Sequence, residues 1–392
     1  MTKLAHLFLP RAVSIFLILI AALTCASAQT KYVIANDDVP FPFLTGVSFF
    51  SVGASGALTL KQQVLTGGHG GAAGYFGANR IAVLNASDQH CVYAPETYNG
   101  DIAGIDVDTL LLTSNTAGSS TDAGTSNGIG LALSTDYLYA SFTDSNTIGT
   151  FKIESGCSLM FVNDTAVTGS QGGFINAMAV HGNMMVVTYT DGSIESFDLS
   201  TGPPLSHGDK QLSSATVTSQ YATYPNKIDI TSDGKYAIFG DTSTAAVIEV
   251  SNISSGKLTK TLAYQTSKSI SSSNIILSPD ETILYVVNTQ GDSVSAYFFN
   301  KSTGAVTFGC QSNKIKGQSV GWSYLVGAAL VSQTGNGGGL YVAEFGGTSG
   351  VSMVKFGMSG GTCTLQEMAG SPFIDGNSTA LLSIGTYPPR AF

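Results

Sequence analysis

The sequence predicts an all-β fold: a seven-bladed β-propeller with four-stranded blades, its ring closed by a C-terminal strand in blade one. Three observations predict it. A strand-and-turn cadence recurs every 45–50 residues or so, the spacing of a propeller blade. Glycine is abundant, at 46 of 392 residues, and charged residues make up only 11%, which suits tight turns and half-buried strands better than helices. The two ends of the mature chain carry complementary half-units.

The N-terminus is set apart from this cadence. Lys3 and Arg11 supply positive charge, Ala12 to Ala22 form an apolar run, and Ala26-Ser27-Ala28 provides a small-x-small cleavage site. This is the pattern of a signal peptide over residues 1–28, leaving residues 29–392 as a single propeller domain that is secreted or periplasmic. The run is short for a membrane span, and no second long apolar stretch follows. No membrane span is expected after cleavage.

The cadence is clearest late in the chain. Tyr236-Ala-Ile-Phe239 leads to Val247-Ile-Glu-Val250 and a turn at Ser255-Gly256; one period later Leu284-Tyr-Val-Val287 leads to Val294-Ser-Ala-Tyr297 and Thr303-Gly304. The same turn occurs at Ser55-Gly56, Ser155-Gly156 and Thr201-Gly202, so the last four copies lie 46, 54 and 48 residues apart. The first gap leaves room for a blade whose turn has drifted, with strands at Ile81–Leu84, Cys91–Tyr93, Asp101–Asp106 and Thr109–Leu112. A last unit covers roughly residues 323–373. Lys31 to Asn36 matches the second strand of a unit, and the missing first strand reappears at Thr379 to Ile384. Joining them closes the ring and protects edges that an open sheet would expose.

Four cysteines follow the leader: Cys91, Cys157, Cys310 and Cys363. An even number in an exported chain favours disulfides, with three connectivities open. Only neighbouring blades touch in a ring, which favours Cys310–Cys363; Cys91–Cys157 then follows. The spacings resemble no zinc site.

Leu277-Ser-Pro-Asp-Glu-Thr-Ile-Leu-Tyr-Val-Val-Asn288, with Val294-Ser-Ala-Tyr297 and Gly304-Ala-Val-Thr307 after it, resembles the repeat of the YVTN and lactonase-like (6-phosphogluconolactonase-like) seven-bladed propellers. The resemblance implies a pocket at the central channel in which arginine, histidine and carboxylate groups open a lactone. Beyond the leader this chain has Arg80 and Arg390 as its arginines and His69, His90, His181 and His207 as its histidines. No complete set falls on matching motif positions. Arg80, His69 and Glu344 are the catalytic candidates.

A second set is positional. Loops between second and third strands open on the ligand face of a propeller, and here they carry Asp38, Glu96, Asp144, Asp191, Asp241, Asn288 and Glu344. Such a rim could meet a basic partner or hold Ca²⁺, which takes several oxygen ligands. Asp and Asn in turns also bond their own backbone. No other cofactor is implied.

The formal charge of −9 argues against nucleic acid as a partner. Two G-x-S-x-G matches, at Ser319 and Ser359, lack the strand–helix setting of a nucleophile elbow. Gly67 to Gly71 lacks the helix that a phosphate cradle needs. With arginine and histidine so scarce, the sequence favours a monomeric module binding a small molecule or protein at the channel face, with sugar-lactone hydrolysis as the alternative.

Overall fold

The computed structural model describes residues 31–37, 44–70, 80–117, 129–212, 225–241, 247–265, 272–289, 291–315, 324–331, 339–345, 350–374 and 381–389. The expected signal peptide lies outside them. The chain is an all-β propeller of four-stranded antiparallel blades, and the described residues form seven such sheets.

Blade one holds β1 (Tyr32–Asp37), β2 (Gly46–Val52) and β3 (Leu58–Leu65). Blade two holds β4 (Ala82–Asn85), β5 (His90–Glu96), β6 (Asp101–Asp106) and β7 (Leu111–Ala117). Blade three holds β8 (Ile129–Leu133), β9 (Tyr137–Phe142), β10 (Thr147–Ile153) and β11 (Leu159–Ala166). Blade four holds β12 (Ile175–His181), β13 (Met184–Tyr189), β14 (Ser193–Asp198) and β15 (Ser206–Leu212). Blade five holds β16 (Pro225–Ile230), β17 (Tyr236–Asp241), β18 (Val247–Ser254) and β19 (Lys257–Gln265). Blade six holds β20 (Ser272–Leu277), β21 (Ile283–Asn288), β22 (Ser293–Asn300) and β23 (Ala305–Gln311). Blade seven holds β24 (Tyr324–Val331), β25 (Gly339–Phe345), β26 (Gly350–Ser359) and β27 (Thr362–Glu367). The last strand, β28 (Leu381–Tyr387), pairs with β1, from Tyr32 opposite Tyr387 to Asn36 opposite Ser383.

The Ser/Thr-Gly turns join third to fourth strands, and their glycines have a positive φ: 90° at Gly56, 67° at Gly156, 72° at Gly202, 74° at Gly256 and 73° at Gly304. That conformation costs glycine least, which is why the turn leaves a periodic trace in the sequence. Blade two has Leu110 at φ 55° in the corresponding turn, so its trace is lost.

Each strand alternates its side chains between the two neighbouring blades. Seven separate apolar cores result, one in each wedge. Val33 and Ala35 of β1 pack with Tyr341 and Ala343 of blade seven. Ile34, between them, packs with Val92 and Ala94 of blade two. Among the described residues no helix is long and apolar enough to cross a membrane.

Two disulfides join adjacent blades: Cys91–Cys157 between blades two and three, and Cys310–Cys363 between blades six and seven. Both match the expected pairing, and structural bridges of this kind suit an oxidising compartment. Cys91–Cys157 closes a sequence separation of 66 residues, for which chain-entropy arguments give about 4 kcal/mol. A double C91S/C157S variant should lose most of that in a denaturant titration. An unshifted midpoint would show that the bridge does not form in solution.

Candidate active site

Inner strands start, and second strands end, on the same face of the ring, the channel mouth. Thus Asn36 near the end of β1 lies opposite Ser383 near the start of β28, and Glu344 near the end of β25 lies opposite Leu325 near the start of β24. Strand alternation then decides which wedge each mouth residue enters.

Blades one and two share a polar wedge above their apolar core. Asn36 and Glu96 continue the faces of Ile34 and of Val92 and Ala94, so both enter it. Arg80 stands just before Ile81 of the same core, and its backbone N–H donates to Ser383 Oγ at 3.1 Å. Arg80 is 1% exposed, and Glu96 and Asn36 are fully buried. The Glu96 carboxylate accepts from Gly68 N at 3.1 Å and from Asn115 Nδ2 at 3.0 and 3.1 Å. A Cβ on Gly68 would fall on that carboxylate, so the glycine is needed for close approach. His69 follows directly; its N–H donates to Asn99 Oδ1 at 2.8 Å and its ring meets Tyr98 edge-on at 6.2 Å. Among the described residues the buried Asn36 amide and Thr45 hydroxyl have no hydrogen-bond partner, which leaves them available to a bound molecule.

Of the four histidines beyond the leader, His69 stands at the mouth. His90 starts β5, His181 ends β12 and His207 lies near the start of β15, all toward the opposite face. His90 pairs with Asp108 at 2.8 Å. His207 pairs with buried Glu195 at 2.8 Å, which also takes Lys210 at 3.0 Å and the Tyr189 hydroxyl.

Arg80 and His69 therefore share one junction, and the expected third member, Glu344, belongs to another. Glu344 continues the face of Leu340 and Val342 into the wedge between blades six and seven. It is fully buried and accepts from Ser352 Oγ at 2.5 Å, while Ser352 also lies 3.1 Å from Glu367. Burial pushes its carboxyl up to about 7; the Ser352 hydrogen bond opposes this, and the charges of Glu367 and Asp292 add to it. The carboxylate beside His69 at this junction is Glu96, through the Gly68 backbone.

The raised value makes folding depend on pH. Native Glu344 holds its proton more tightly than the unfolded chain, so that stabilisation is fully present below pH about 4.5 and is lost as pH rises through about 7. Glu344→Gln should flatten the slope by about 3 kcal/mol across that window. Equal slopes for both proteins in pH-dependent denaturation would refute the shift.

The remaining rim positions are bonded locally. Asp191 accepts from Gln171 N, Gly173 N, Ser193 N and Ser193 Oγ at 2.5–3.1 Å. Burial would raise its carboxyl, but these bonds outweigh it and hold the group below the ordinary range. Asn288 donates to Ser293 Oγ and Ser295 Oγ, and Asp144 is exposed in a turn. Asp38 and the side chain of Asp241 lie outside the described residues. Among the described residues no group of three or more His, Cys, Asp or Glu side chains is arranged to hold a metal ion. Ser359 ends β26 at a hairpin turn, and Ser319 lies outside the description.

Residues 97–371 match the family model described as "Lactonase, 7-bladed beta-propeller". The chain belongs to this lactonase propeller family. No curated protein matches it. Among solved structures, a protein from Bacteroides uniformis provisionally titled a 6-phosphogluconolactonase is 16% identical, with a TM-score of 0.57 over 70% of this chain and 80% of that one. The periplasmic gluconolactonase PpgL of Pseudomonas aeruginosa is 13% identical, with a TM-score of 0.55 over 72% and 82%. A functionally unknown protein from Desulfotomaculum acetoxidans is 15% identical, with a TM-score of 0.62 over 91% and 98%. At these identities the likenesses establish the fold alone. The family match, rather than these likenesses, is what bears on the choice between lactone hydrolysis and the partner-binding module that the scarce arginine and histidine suggested.

Proposed function

We propose that this protein is an exported lactone hydrolase, a closed seven-bladed ring working at its channel mouth. The observation that supports the reading is the placement of Arg80, His69 and Glu96 at the mouth of one blade junction, where Glu96 holds the Gly68 backbone beside His69 and the Arg80 backbone donates to Ser383. It supplies the arginine, histidine and carboxylate that lactone opening calls for. His69 takes a proton from water as the water oxygen attacks the lactone carbonyl. The Arg80 guanidinium stabilises the oxyanion and then the carboxylate product. The ring C–O bond breaks, and the departing oxygen receives the proton as a hydroxyl. Glu96 holds the backbone of Gly68 and so positions His69.

Charge selects among lactones. Asp37, Glu96, Asp101 and Glu344 crowd the same face as Arg80, and burial together with Glu96 raises the Asp101 carboxyl above its usual range. A phosphate dianion is poorly served there, so an unphosphorylated aldonolactone is the better substrate. The test compares hydrolysis of δ-gluconolactone and 6-phosphogluconolactone by the wild type and His69→Ala. Turnover of δ-gluconolactone that collapses in His69→Ala supports the reading. Turnover indistinguishable from buffer overturns it and restores the binding-module reading.

A further inference from the structure

Below the mouth, inner strands from all seven blades enclose a cavity of 320 Å³ that extends to Pro389, beyond the far end of β28. Its wall is aliphatic. Val83, Leu133, Val180 and Ile276 are half-buried members, and no aromatic ring appears among its described lining residues. Sugars would meet neither stacking rings nor an adequate set of hydrogen-bonding groups there. The two ionisable side chains of the lining, Lys227 and Asp229, both come from β16.

Alternation explains this pair. Ile228 and Ile230 enter the core between blades four and five, so Lys227 and Asp229 face the other way. Lys227 sits where the pairing of β16 with β17 slips by one residue, between Asn226 and Ile228, and such bulges re-aim side chains. Its ammonium donates to Ala328 O at 3.2 Å, past blade six to blade seven, and Asp229 accepts from Leu277 N at 2.8 Å. Both side chains line the cavity, so a molecule that enters it meets an ammonium donor and a carboxylate acceptor.

We propose that this channel binds a neutral amphiphile: an unbranched aliphatic chain with a hydroxyl head at Lys227 and Asp229. The head accepts from Lys227 and donates to Asp229, and the chain runs along the aliphatic wall toward Pro389. Neutrality follows from the pair itself. One positive and one negative group already balance, so an ionised head would leave a charge uncompensated in a low-dielectric tube. This site is separate from the lactone-opening junction and stands or falls independently of it.

The test is calorimetric titration of the full chain with straight-chain alkan-1-ols from butanol to dodecanol, with alkanoates of equal length in parallel. Affinity should rise about three- to four-fold per methylene until the channel is filled, at one ligand per chain, with each alkanoate about tenfold weaker than its alcohol. Ala179→Phe should abolish binding with the melting transition retained, and the milder Ala179→Leu should shorten the longest chain accepted. Lys227→Met should erase the preference for a hydroxyl head. Affinity independent of chain length, several ligands per chain, or binding unchanged in both Ala179 variants would overturn the site.

Discussion

Deleting residues 379–392 should unfold blade one and lower the melting temperature by roughly 6–10 °C. β28 supplies the inner strand of that blade, and Leu381, Ile384 and Tyr387 are buried in the wedges on either side. Burying side chains of this size is worth about 1.5–3 kcal/mol each, or roughly 5–8 kcal/mol together. The deletion also exposes the inner edge of β1 and leaves Asn36 without its backbone partner. A domain of this size loses about 1.3 °C per kcal/mol. Calorimetry on the wild type and the deletion decides the matter, and coincident transitions would rule out a ring held together by its two termini.

Arg80→Ala should lower kcat/KM for δ-gluconolactone by at least about a hundredfold, the effect of removing a principal oxyanion donor. Arg80→Lys keeps the charge but loses the planar fork, so intermediate activity is expected. Because Arg80 is buried beside Ser383, melting curves of both variants must accompany the kinetics. A folded Arg80→Ala enzyme with wild-type kcat/KM would remove Arg80 from the chemistry. A loss of activity proportional to a loss of folded protein would make it a structural clamp.

The architecture was legible because its signals are local. A glycine at positive φ in the third-to-fourth-strand turn of every blade but the second, and an apolar second strand, recur wherever the backbone needs them. Blade two hid its turn because Leu110 takes that φ in place of glycine. The cysteine pairing was legible for a related reason: once the repeat assigns each cysteine to a blade, adjacency leaves little choice.

The site was only half legible. Arg80, His69 and Glu344 could be named from their chemistry, and Glu344 also from its place on the rim, but the wedge that Glu344 enters could not be read. Glu96 and Glu344 end equivalent strands, and nothing local to either distinguishes their partners. Asn36 carried one signal, its match to Asn288 in the repeat, but its opposition to Ser383 spans the whole chain. Lys227 and Asp229 carried none, because a lysine two residues from an aspartate reads as an ordinary exposed strand.

By itself the sequence determined the blade, its turns, its repeat number and its bridges, since each follows from backbone preferences and apolar alternation within some fifty residues. Tertiary structure decided which side chains meet. Side-chain parity along each strand and the pairing of β28 with β1 put Asn36 and Glu96 into one wedge, sent Glu344 to the next wedge but one, and turned Lys227 and Asp229 into an aliphatic channel. Those outcomes depend on a one-residue alternation carried around a closed circle, and a one-residue shift would exchange every partner.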